Sequence, residues 1–318
     1  MSRDIKFSLN TTEAYHTDQL NTLGWELTMC NALYPKGTPL RRILARDHSY
    51  GHLLHEYLGR FIPIKNIKKI LEIGGGYGYL MKDFLDYNDA AAFETSMLDI
   101  SPVLLEKQKE ILKGFPVVFR NENFLETNGA YLSEFDLVIL NENLGDFPTL
   151  VNVSRELLQM HGEADDPSLQ KMFYFFRKYD LDRTLPEIFH FNLGALQVLE
   201  KLCVSGVPYI FLGEHSCEAA LPAIPRLHAC ALSTGMPERI SLKGHDEYTI
   251  KFSYLQKVAE TFGYEYLRGP FADFVPLAIT EELRFTLASH GCGRDDGEMI
   301  CQFVEDLFKY EYLILIRK

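Results

Sequence analysis

The chain has few of the features that mark secreted, membrane-spanning or disulfide-bonded proteins. Its six cysteines, in 318 residues, form no Cys-x-x-Cys pair and no zinc-ligand spacing, so we expect reduced thiols. No apolar run approaches the ~20 residues that a membrane span needs, and residues 1–6 lack the apolar core of a signal peptide. These absences predict a cytoplasmic protein with no membrane partner. The cysteines are Cys30, Cys203, Cys217, Cys230, Cys292 and Cys301.

Positive charge is also scarce. The 32 lysines and arginines are outnumbered by 44 aspartates and glutamates, which gives a net charge of -12. Proteins that bind nucleic acid neutralise phosphates with lysine and arginine, so this balance argues against a nucleic-acid partner. With 47% hydrophobic residues, the chain is long enough to bury a full α/β core and an appended subdomain.

A glycine-rich turn is the most informative segment that is present. Residues 71–80 have the sequence Leu-Glu-Ile-Gly-Gly-Gly-Tyr-Gly-Tyr-Leu, between a short apolar run and a helical pattern. Gly74, Gly76 and Gly78 allow the backbone to turn sharply and a ligand to approach closely. Glu72 precedes the turn, where its carboxylate can accept a hydrogen bond from a ligand ammonium or hydroxyl group.

The spacing of the glycines decides between ligands. A dinucleotide site requires Gly-x-Gly-x-x-Gly, but the sixth residue is Tyr79 counted from Gly74 and Met81 counted from Gly76. The nicotinamide and flavin fingerprint therefore fails in both registers. The acid-x-Gly-x-Gly-x-Gly arrangement resembles the first motif of class I S-adenosylmethionine methyltransferases. A tight turn without a ligand is the simpler alternative.

Strand-like and helix-like segments alternate after residue 70, which predicts a parallel sheet covered on both faces. Helical periodicity over residues 12–62 and again over 147–202 predicts helical segments before and within this sheet. The predicted strands are 70–73, 93–98, 117–119, 135–140, 208–213, 264–267 and 310–317, and the predicted helices between them are 79–86, 102–112 and 252–262. Ser101 is the expected N-cap of the second of these helices, with Pro102 as its first residue.

Polar side chains follow four successive predicted strands, where ligands of open α/β sheets bind. Asp99 follows the second strand, and its carboxylate can bridge two ribose hydroxyls because it accepts two hydrogen bonds. Asn123 and Phe124 follow the third, where an amide can meet an adenine amino group and a ring can cover the base. Asn141 follows the fourth. The predicted cofactor-binding residues are Glu72, Gly74, Gly76, Tyr77, Gly78, Asp99, Ile100, Asn123, Phe124 and Asn141.

A set of longer segments resembles the MidA family, which is related to the mitochondrial complex I assembly methyltransferase. Residues 99–112 are similar to its acid-x-Ser-x-x-Leu-x-x-x-Gln segment, and residues 141–148 to its Asn-Glu-x-x-Asp-Ala-Leu-Pro. Residues 244–255 are similar to its Asp-x-Thr-x-x-Val-Asp-Phe-x-x-Leu. Together the resemblance covers roughly residues 68–318. The chain departs from the family at Gly145, where the family has aspartate, and at Glu214-His215-Ser216, where it has Asp-Tyr-Gly.

The resemblance implies a class I methyltransferase-type Rossmann-like sheet that is mostly parallel, with an antiparallel last strand. It implies S-adenosylmethionine as cofactor, S-adenosylhomocysteine as product and a protein arginine as methyl acceptor. The expected organisation is an N-terminal helical cap (1–65), a cofactor-binding domain (66–146 and 205–318) and a helical insertion or lid (147–204). The oligomeric state stays open.

The acceptor side is less determined. A guanidinium substrate needs carboxylates that fork it, and the candidate catalytic residues are Glu142, Asp146 and Glu214. A small-molecule acceptor would instead use a histidine base, for which His215 and His245 are candidates against the simpler interpretation of solvated loop residues. A cofactor-binding scaffold without turnover is the alternative function, favoured by Gly145.

Two further sequence patterns could indicate a function, but each has a simpler structural interpretation. His48, His52 and His55 share one predicted helix face, but no His-Glu-x-x-His motif accompanies them, so we expect a polar helix face and no metal site. The aromatic segment 173–179 is expected to pack the insertion onto the sheet rather than to bind a partner.

Overall fold

The structure is a computed structural model that describes residues 7–23, 28–87, 93–160, 165–220, 233–288 and 295–318. Cys230 and Cys292 lie outside the described residues. So do parts of an acidic stretch, residues 162–167, and of residues 215–247, for which the sequence predicts a loop-rich segment.

A seven-stranded sheet forms the centre of the fold, with the strand order β11-β12-β8-β5-β2-β3-β4. The pairs among β8, β5, β2, β3 and β4 are parallel, whereas β12 runs antiparallel to both of its neighbours. This topology confirms the predicted fold class, including the antiparallel last strand. The strands are β2 (Lys69–Ile73), β3 (Glu94–Asp99), β4 (Val117–Asn121), β5 (Leu137–Asn141), β8 (Tyr209–His215), β11 (Tyr264–Pro270) and β12 (Tyr310–Arg317).

The sheet is buried on both faces because successive side chains of its central strands enter different cores. In β5, Val138 and Leu140 pack into one core, whereas Leu137 and Ile139 pack into the other. Near-continuous apolar runs are the sequence signature of such a strand. The helices are α1 (Met29–Leu33), α2 (Pro39–Arg42), α3 (Tyr50–Leu58), α4 (Tyr79–Tyr87), α5 (Pro102–Ile111), α6 (Gly129–Leu132), α7 (Pro167–Lys178), α8 (Leu193–Ser205), α9 (Phe252–Thr261), α10 (Glu281–Ala288) and α11 (Asp295–Lys309).

Local signals placed several helix boundaries correctly. The Ser101 side chain accepts a hydrogen bond from the Leu104 backbone N–H, and Pro102 is the first residue of α5, as predicted. Helix α9 ends just before Gly263, which has a φ of +77° that favours glycine.

The N-terminal region and the insertion differ from the purely helical prediction. Strand β1 (Ser8–Asn10) pairs with β6 (Thr149–Ser154), and β6 pairs with β7 (Ile188–Phe191), so a small antiparallel sheet joins the two regions. The pairing partners are about 140 residues apart, so helical periodicity could not reveal it. A hairpin of β9 (Arg239–Ser241) and β10 (Asp246–Tyr248) completes the described strands.

The aromatic segment of α7 packs inward. Phe173, Phe175, Phe176 and Tyr179 are buried in the core on the same side of the sheet as α8 and α9. This agrees with the packing interpretation of segment 173–179. Among the described residues, no helix combines the length and the apolarity needed to cross a membrane.

Candidate functional site

The carboxyl ends of β2, β3, β4, β5 and β8 open into one cavity of about 440 Å³, within the usual range for small-molecule sites. Residues from the N-terminal region, the β9–β10 hairpin and α11 close its other walls. Eight of the ten predicted cofactor-binding residues line it: Glu72, Gly74, Gly76, Asp99, Ile100, Asn123, Phe124 and Asn141.

The glycine turn forms one wall of the cavity. Its backbone adopts conformations that would be strained for a residue with a side chain. Gly74 and Gly76 have φ values of +61° and +53°. A Cβ on Gly74 would collide with the Asn143 side chain, whereas among the described residues a Cβ on Gly76 would meet only Leu23, at 3.5 Å. With respect to these residues, Gly76 leaves room for a ligand to approach the backbone from the cavity side.

Tyr77 and Gly78 do not line the cavity, so their contact with a cofactor stays a prediction. The Tyr77 hydroxyl accepts a hydrogen bond from the Leu23 backbone N–H at 2.8 Å. Gly78, with φ of +86°, packs against Gln108, and its N–H donates to the Gly75 carbonyl. Both residues support the turn from outside.

Asp99 is held rigidly at the end of β3. One carboxylate oxygen accepts a hydrogen bond from the Ser101 N–H at 2.9 Å, and the other accepts one from the Gln108 side chain at 2.7 Å. Each oxygen keeps capacity for a further donor, as a ribose diol requires. Burial raises the pKa of Asp99 to about 6, although the hydrogen bonds from Ser101 and Gln108 oppose this shift.

Glu72 carries an unsatisfied polar atom at the floor of the cavity. Its side chain is 2% exposed, and no hydrogen-bond partner in the described residues reaches its Oε2. Burial raises the pKa of Glu72 to about 8, and the nearby Asp99 carboxylate raises it further. A buried acceptor without a partner fits a site whose ligand brings a donor such as an ammonium group.

Asn123 and Phe124 follow β4 as predicted. The Asn123 side-chain oxygen accepts a hydrogen bond from the Leu125 N–H at 3.0 Å, which caps a short 3₁₀ turn, and the Phe124 ring is buried. The adjacent Glu122 also lines the cavity and forms an ion pair with Arg120. The polar edge and the ring face that a nucleobase needs are therefore present.

All three candidate catalytic carboxylates line the cavity. Glu142 has a left-handed backbone, with φ of +55°, and its carboxylate accepts hydrogen bonds from the Met29 N–H at 2.8 Å and the Asn141 amide at 3.0 Å. Burial raises its pKa to about 7. Because Met29 begins α1, Glu142 attaches the N-terminal region to the end of β5.

Glu214 is more deeply buried and has more acceptor capacity left. One oxygen accepts the Gly145 N–H at 3.1 Å and the other the His215 N–H at 2.7 Å. Burial, together with repulsion from Glu142 and Asp146, raises the pKa of Glu214 to about 8. These surroundings favour the protonated carboxyl near neutral pH, whereas a cation beside it would favour the ionised form.

The close approach of β10 explains why position 145 is a glycine. A Cβ there would lie 3.1 Å from the Tyr248 carbonyl oxygen of β10, closer than is comfortable for a side chain. Its backbone N–H also points at Glu214. The carboxylate appears one residue later, at Asp146, which accepts a hydrogen bond from His16 or pairs with it as an ion at 2.8 Å.

The histidines take different positions. His215 lines the cavity and stacks on Tyr310, and burial lowers its pKa to about 4, so it is neutral at physiological pH. The His245 side chain is buried beside Asp146, and burial lowers its pKa as well. His52 lies 3.8 Å from Asp83, whereas His55 packs against Phe84. Neither the solvated-loop interpretation of His215 nor that of His245 holds.

Residues far along the chain complete the wall beyond Glu214. Asp306 and Gln302 lie one turn apart on α11, the Gln302 amide donates to Asp306 at 2.7 Å, and Tyr310 begins β12. None of these three residues, nor His16, was expected from the sequence. Their segments carry no motif, and they reach the cavity because α11 packs beside β11 and β12 and residues 12–23 pack on α5.

The lining is strongly acidic. Nine carboxyl groups line the cavity, and no lysine or arginine of the described residues does. Such a cavity favours ligands with positive charge. The nine are Glu13, Glu72, Asp99, Glu122, Glu142, Asp146, Glu214, Glu247 and Asp306.

Comparisons with known proteins agree with this chemistry. Residues 58–200, a little under half of the chain, match a family described as "Putative S-adenosyl-L-methionine-dependent methyltransferase". The matched segment runs from the end of α3 through the glycine turn and the ends of β3, β4 and β5. The fold, the glycine turn and this family agree on S-adenosylmethionine as the cofactor, with S-adenosylhomocysteine as its product form. No curated protein matches the chain.

Several solved structures share the general fold. A COG1565 superfamily member from Burkholderia thailandensis, bound to S-adenosyl-homocysteine, is 13% identical with a TM-score of 0.49, covering 84% of this chain and 76% of that one. A methyltransferase of Haloferax volcanii in complex with its activator Trm112 is 13% identical (TM-score 0.46; 84% and 89% covered). Magnesium protoporphyrin IX methyltransferase from Synechocystis is 12% identical (TM-score 0.41; 84% and 84% covered). At these TM-scores the likenesses carry no argument about individual residues.

Proposed function

We propose that this protein is an S-adenosylmethionine-dependent methyltransferase whose acceptor is a positively charged nitrogen group, with a protein arginine as the best-fitting substrate. The observation that carries the proposal is the cavity wall of nine carboxyl groups with no lysine or arginine among its described residues. The resemblance of residues 141–148 and 244–255 to the MidA family supports the same acceptor.

The cofactor side is assigned to the ends of β2, β3 and β4. Glu72 would accept the ammonium group, Asp99 the ribose hydroxyls, and Asn123 with Phe124 the nucleobase. When bound, S-adenosylmethionine supplies a methyl group on a sulfonium. The protein's task is then to hold the acceptor nitrogen in line with that group, and positioning supplies most of the rate in such displacements.

The acceptor side is assigned to Glu214, Glu142 and Asp306. A guanidinium is planar and presents several N–H donors, so convergent carboxylates can fix its orientation. Glu214 is the residue we assign to the proton that the acceptor nitrogen loses, because both of its oxygens keep acceptor capacity and burial raises its pKa to about 8. Glu142 positions the same group while it holds α1.

A scaffold that binds the cofactor without turnover is the second candidate. It is favoured by Glu142, whose carboxylate is already engaged by the Met29 N–H and the Asn141 amide. The two functions share the cofactor side and differ only in whether the acceptor side takes part in a reaction.

The deciding experiment is incubation of the purified protein with methyl-labelled S-adenosylmethionine and a cell lysate, followed by separation of protein from small molecules. We expect label in protein, on arginine. Glu214→Gln should abolish the labelling with little change in cofactor affinity, whereas Glu265→Gln, exposed on β11, should label normally. Label only in small molecules would refute the arginine acceptor, and cofactor binding without any label would establish the scaffold.

A further inference from the structure

Three side chains of metal-ligating type meet at the wall of the cavity. They come from segments that are far apart in sequence: His16 from the π-helical turn Tyr15–Gln19, Asp146 from the turn after β5, and His245 from the β9–β10 hairpin. The ligand-type atoms of all three lie within 4.8 Å of one another, and no other group of three or more His, Cys, Asp or Glu among the described residues meets this condition.

The nitrogen–oxygen distances within this cluster both involve one carboxylate oxygen, Asp146 Oδ1. Asp146 Oδ1 lies 2.8 Å from His16 Nε2 and 3.8 Å from His245 Nε2. Ligands at the usual 2.0–2.1 Å from a tetrahedral zinc ion are about 3.4 Å apart. The two distances from Asp146 Oδ1 each lie within about 0.6 Å of this separation, and the ligand atoms of the two histidines lie within 4.8 Å of each other.

The surroundings hold the donors in place. The His245 side chain is only 3% exposed, and its ring stacks on Tyr15 with centroids 4.1 Å apart. The hairpin can place His245 there because Gly244 has φ of +105°, and a Cβ at that position would collide with Tyr15. The Thr12 hydroxyl donates to the Asp146 carbonyl at 2.9 Å, which fixes the aspartate relative to residues 12–16.

One observation points to a cation at this place. His245 Nε2 lies close to two carboxylates at once, Asp146 at 3.8 Å and Glu247 at 3.0 Å. A neutral imidazole can donate from Nε2 to only one of them, whereas a cation between the groups would satisfy all the negative charges.

We propose that His16 Nε2, Asp146 Oδ1 and His245 Nε2 bind one divalent transition-metal ion, with zinc as the fitting metal, and that this ion fastens residues 12–23 over the cavity. Two imidazoles and a carboxylate are a borderline donor set of the kind that zinc takes with a fourth position open. Glu247 is placed to approach that position.

The proposed role of the ion, to hold residues 12–23 in place, follows from the position of these residues over the cavity. His16 and Leu23 both line the cavity, and Leu20 and Leu23 pack on Leu104 of α5. Residues 12–23 therefore form one wall of the cavity, and few apolar residues hold this wall against α5. An ion shared with Asp146 and His245 would hold this wall closed.

The test uses tag-free, full-length protein treated with a chelator and then titrated with Co²⁺, which reports its ligands by its visible spectrum. We expect one Co²⁺ per chain with the intense absorption of a four-coordinate nitrogen-containing site, displaced by Zn²⁺. His16→Ala and His245→Ala should each weaken binding at least tenfold, and Asp146→Asn, nearly identical in shape, should do the same if an alanine variant fails to fold.

His52→Ala is the matched control, because His52 lies on α3 beside Asp83 and outside the cluster. It should bind Co²⁺ like the unaltered protein. Protease cleavage within residues 12–23 should slow on metal addition. The proposal is overturned if no Co²⁺ binds, or if the His16 and His245 variants bind it as well as the His52 variant does. Neither readout needs methyl transfer, so failure here leaves the proposed reaction untouched.

Discussion

Gly76 shows how one residue separates backbone strain from ligand contact. Its φ of +53° lies in the left-handed region, and a Cβ would meet only Leu23 at 3.5 Å. The cost of a side chain to folding is then roughly 1–2 kcal/mol from the backbone alone. Any larger effect on binding comes from the space that the Cβ takes from a ligand.

Gly76→Ala should therefore weaken S-adenosylmethionine binding by at least tenfold while the protein stays folded, because the new methyl group faces the cavity. Isothermal titration calorimetry with a parallel melting curve measures both effects. Gly263→Ala is the control: it has φ of +77° and no atom within 4 Å of its Cβ, and it lies after α9. Equal cofactor affinity in the two variants would contradict the placement of the cofactor against this turn.

Helix α1 depends on groups outside itself. It has five residues, too few to be stable alone, and its first N–H groups have no partner within the helix. The Thr28 hydroxyl accepts the Asn31 N–H, and the Glu142 carboxylate accepts those of Met29 and, at 3.4 Å, Cys30. One carboxylate therefore couples the order of the N-terminal region to the cavity.

Glu142→Gln should weaken the attachment of α1. The amide of glutamine accepts fewer hydrogen bonds than a carboxylate, and it brings no negative charge to the positive N-terminal end of the helix. We expect faster amide hydrogen exchange in residues 28–34 and a loss of about 1 kcal/mol in the free energy of unfolding. Glu282→Gln, exposed on α10, should change neither. If exchange in residues 28–34 stayed unchanged, Glu142 would not anchor α1.

At the scale of the whole molecule, the burial of three carboxyl groups in the cavity makes the stability of the protein depend on pH. Burial raises the pKa of Glu72 and Glu214 to about 8 and that of Glu142 to about 7. In the unfolded chain these groups lose their protons near pH 4.5. The folded protein therefore holds more protons than the unfolded chain between these values, so its stability falls as pH rises towards 8.

Between pH 6.5 and 8.5 the ligand-free protein should lose on the order of 4 kcal/mol in the free energy of unfolding, measured by urea denaturation. The histidines whose pKa burial lowers oppose this trend only weakly, by roughly 0.4 kcal/mol each, because they are still half protonated at pH 6.5 in the unfolded chain and lose that proton as the pH rises. Saturating S-adenosylmethionine should flatten the dependence, because a cation favours ionised carboxylates. Glu72→Gln should reduce the slope in the free protein. Stability that is constant or rises over this range would contradict the buried acidic cavity.

The meeting of the proposed cofactor-binding residues at one cavity was predictable from the sequence because these residues lie on consecutive strand ends. Asp99, Asn123 and Asn141 follow β3, β4 and β5, and parallel strands bring their carboxyl ends to one edge. Tyr77 and Gly78 belong to the same motif but support the turn from outside, which the spacing of glycines does not distinguish.

Several residues on the proposed acceptor side could be identified only from the tertiary structure. Asp306 and Gln302 reach the cavity only because α11 packs beside the antiparallel β12, and His16 only because residues 12–23 fold over α5. Leu20 and Leu104 are 84 residues apart, and Asp306 lies 92 residues from Glu214, so no local periodicity records that these side chains meet at one cavity.

The sequence by itself determined the alternating α/β pattern and the glycine turn, because each rests on local propensity or spacing, whereas the antiparallel last strand was implied by the family resemblance. Only the tertiary structure decided the charge of the cavity, the burial that raises the pKa of Glu72 and Glu214, and the meeting of His16, Asp146 and His245. Burial and proximity are properties of packed elements, so a side chain acquires them only when distant segments enclose it.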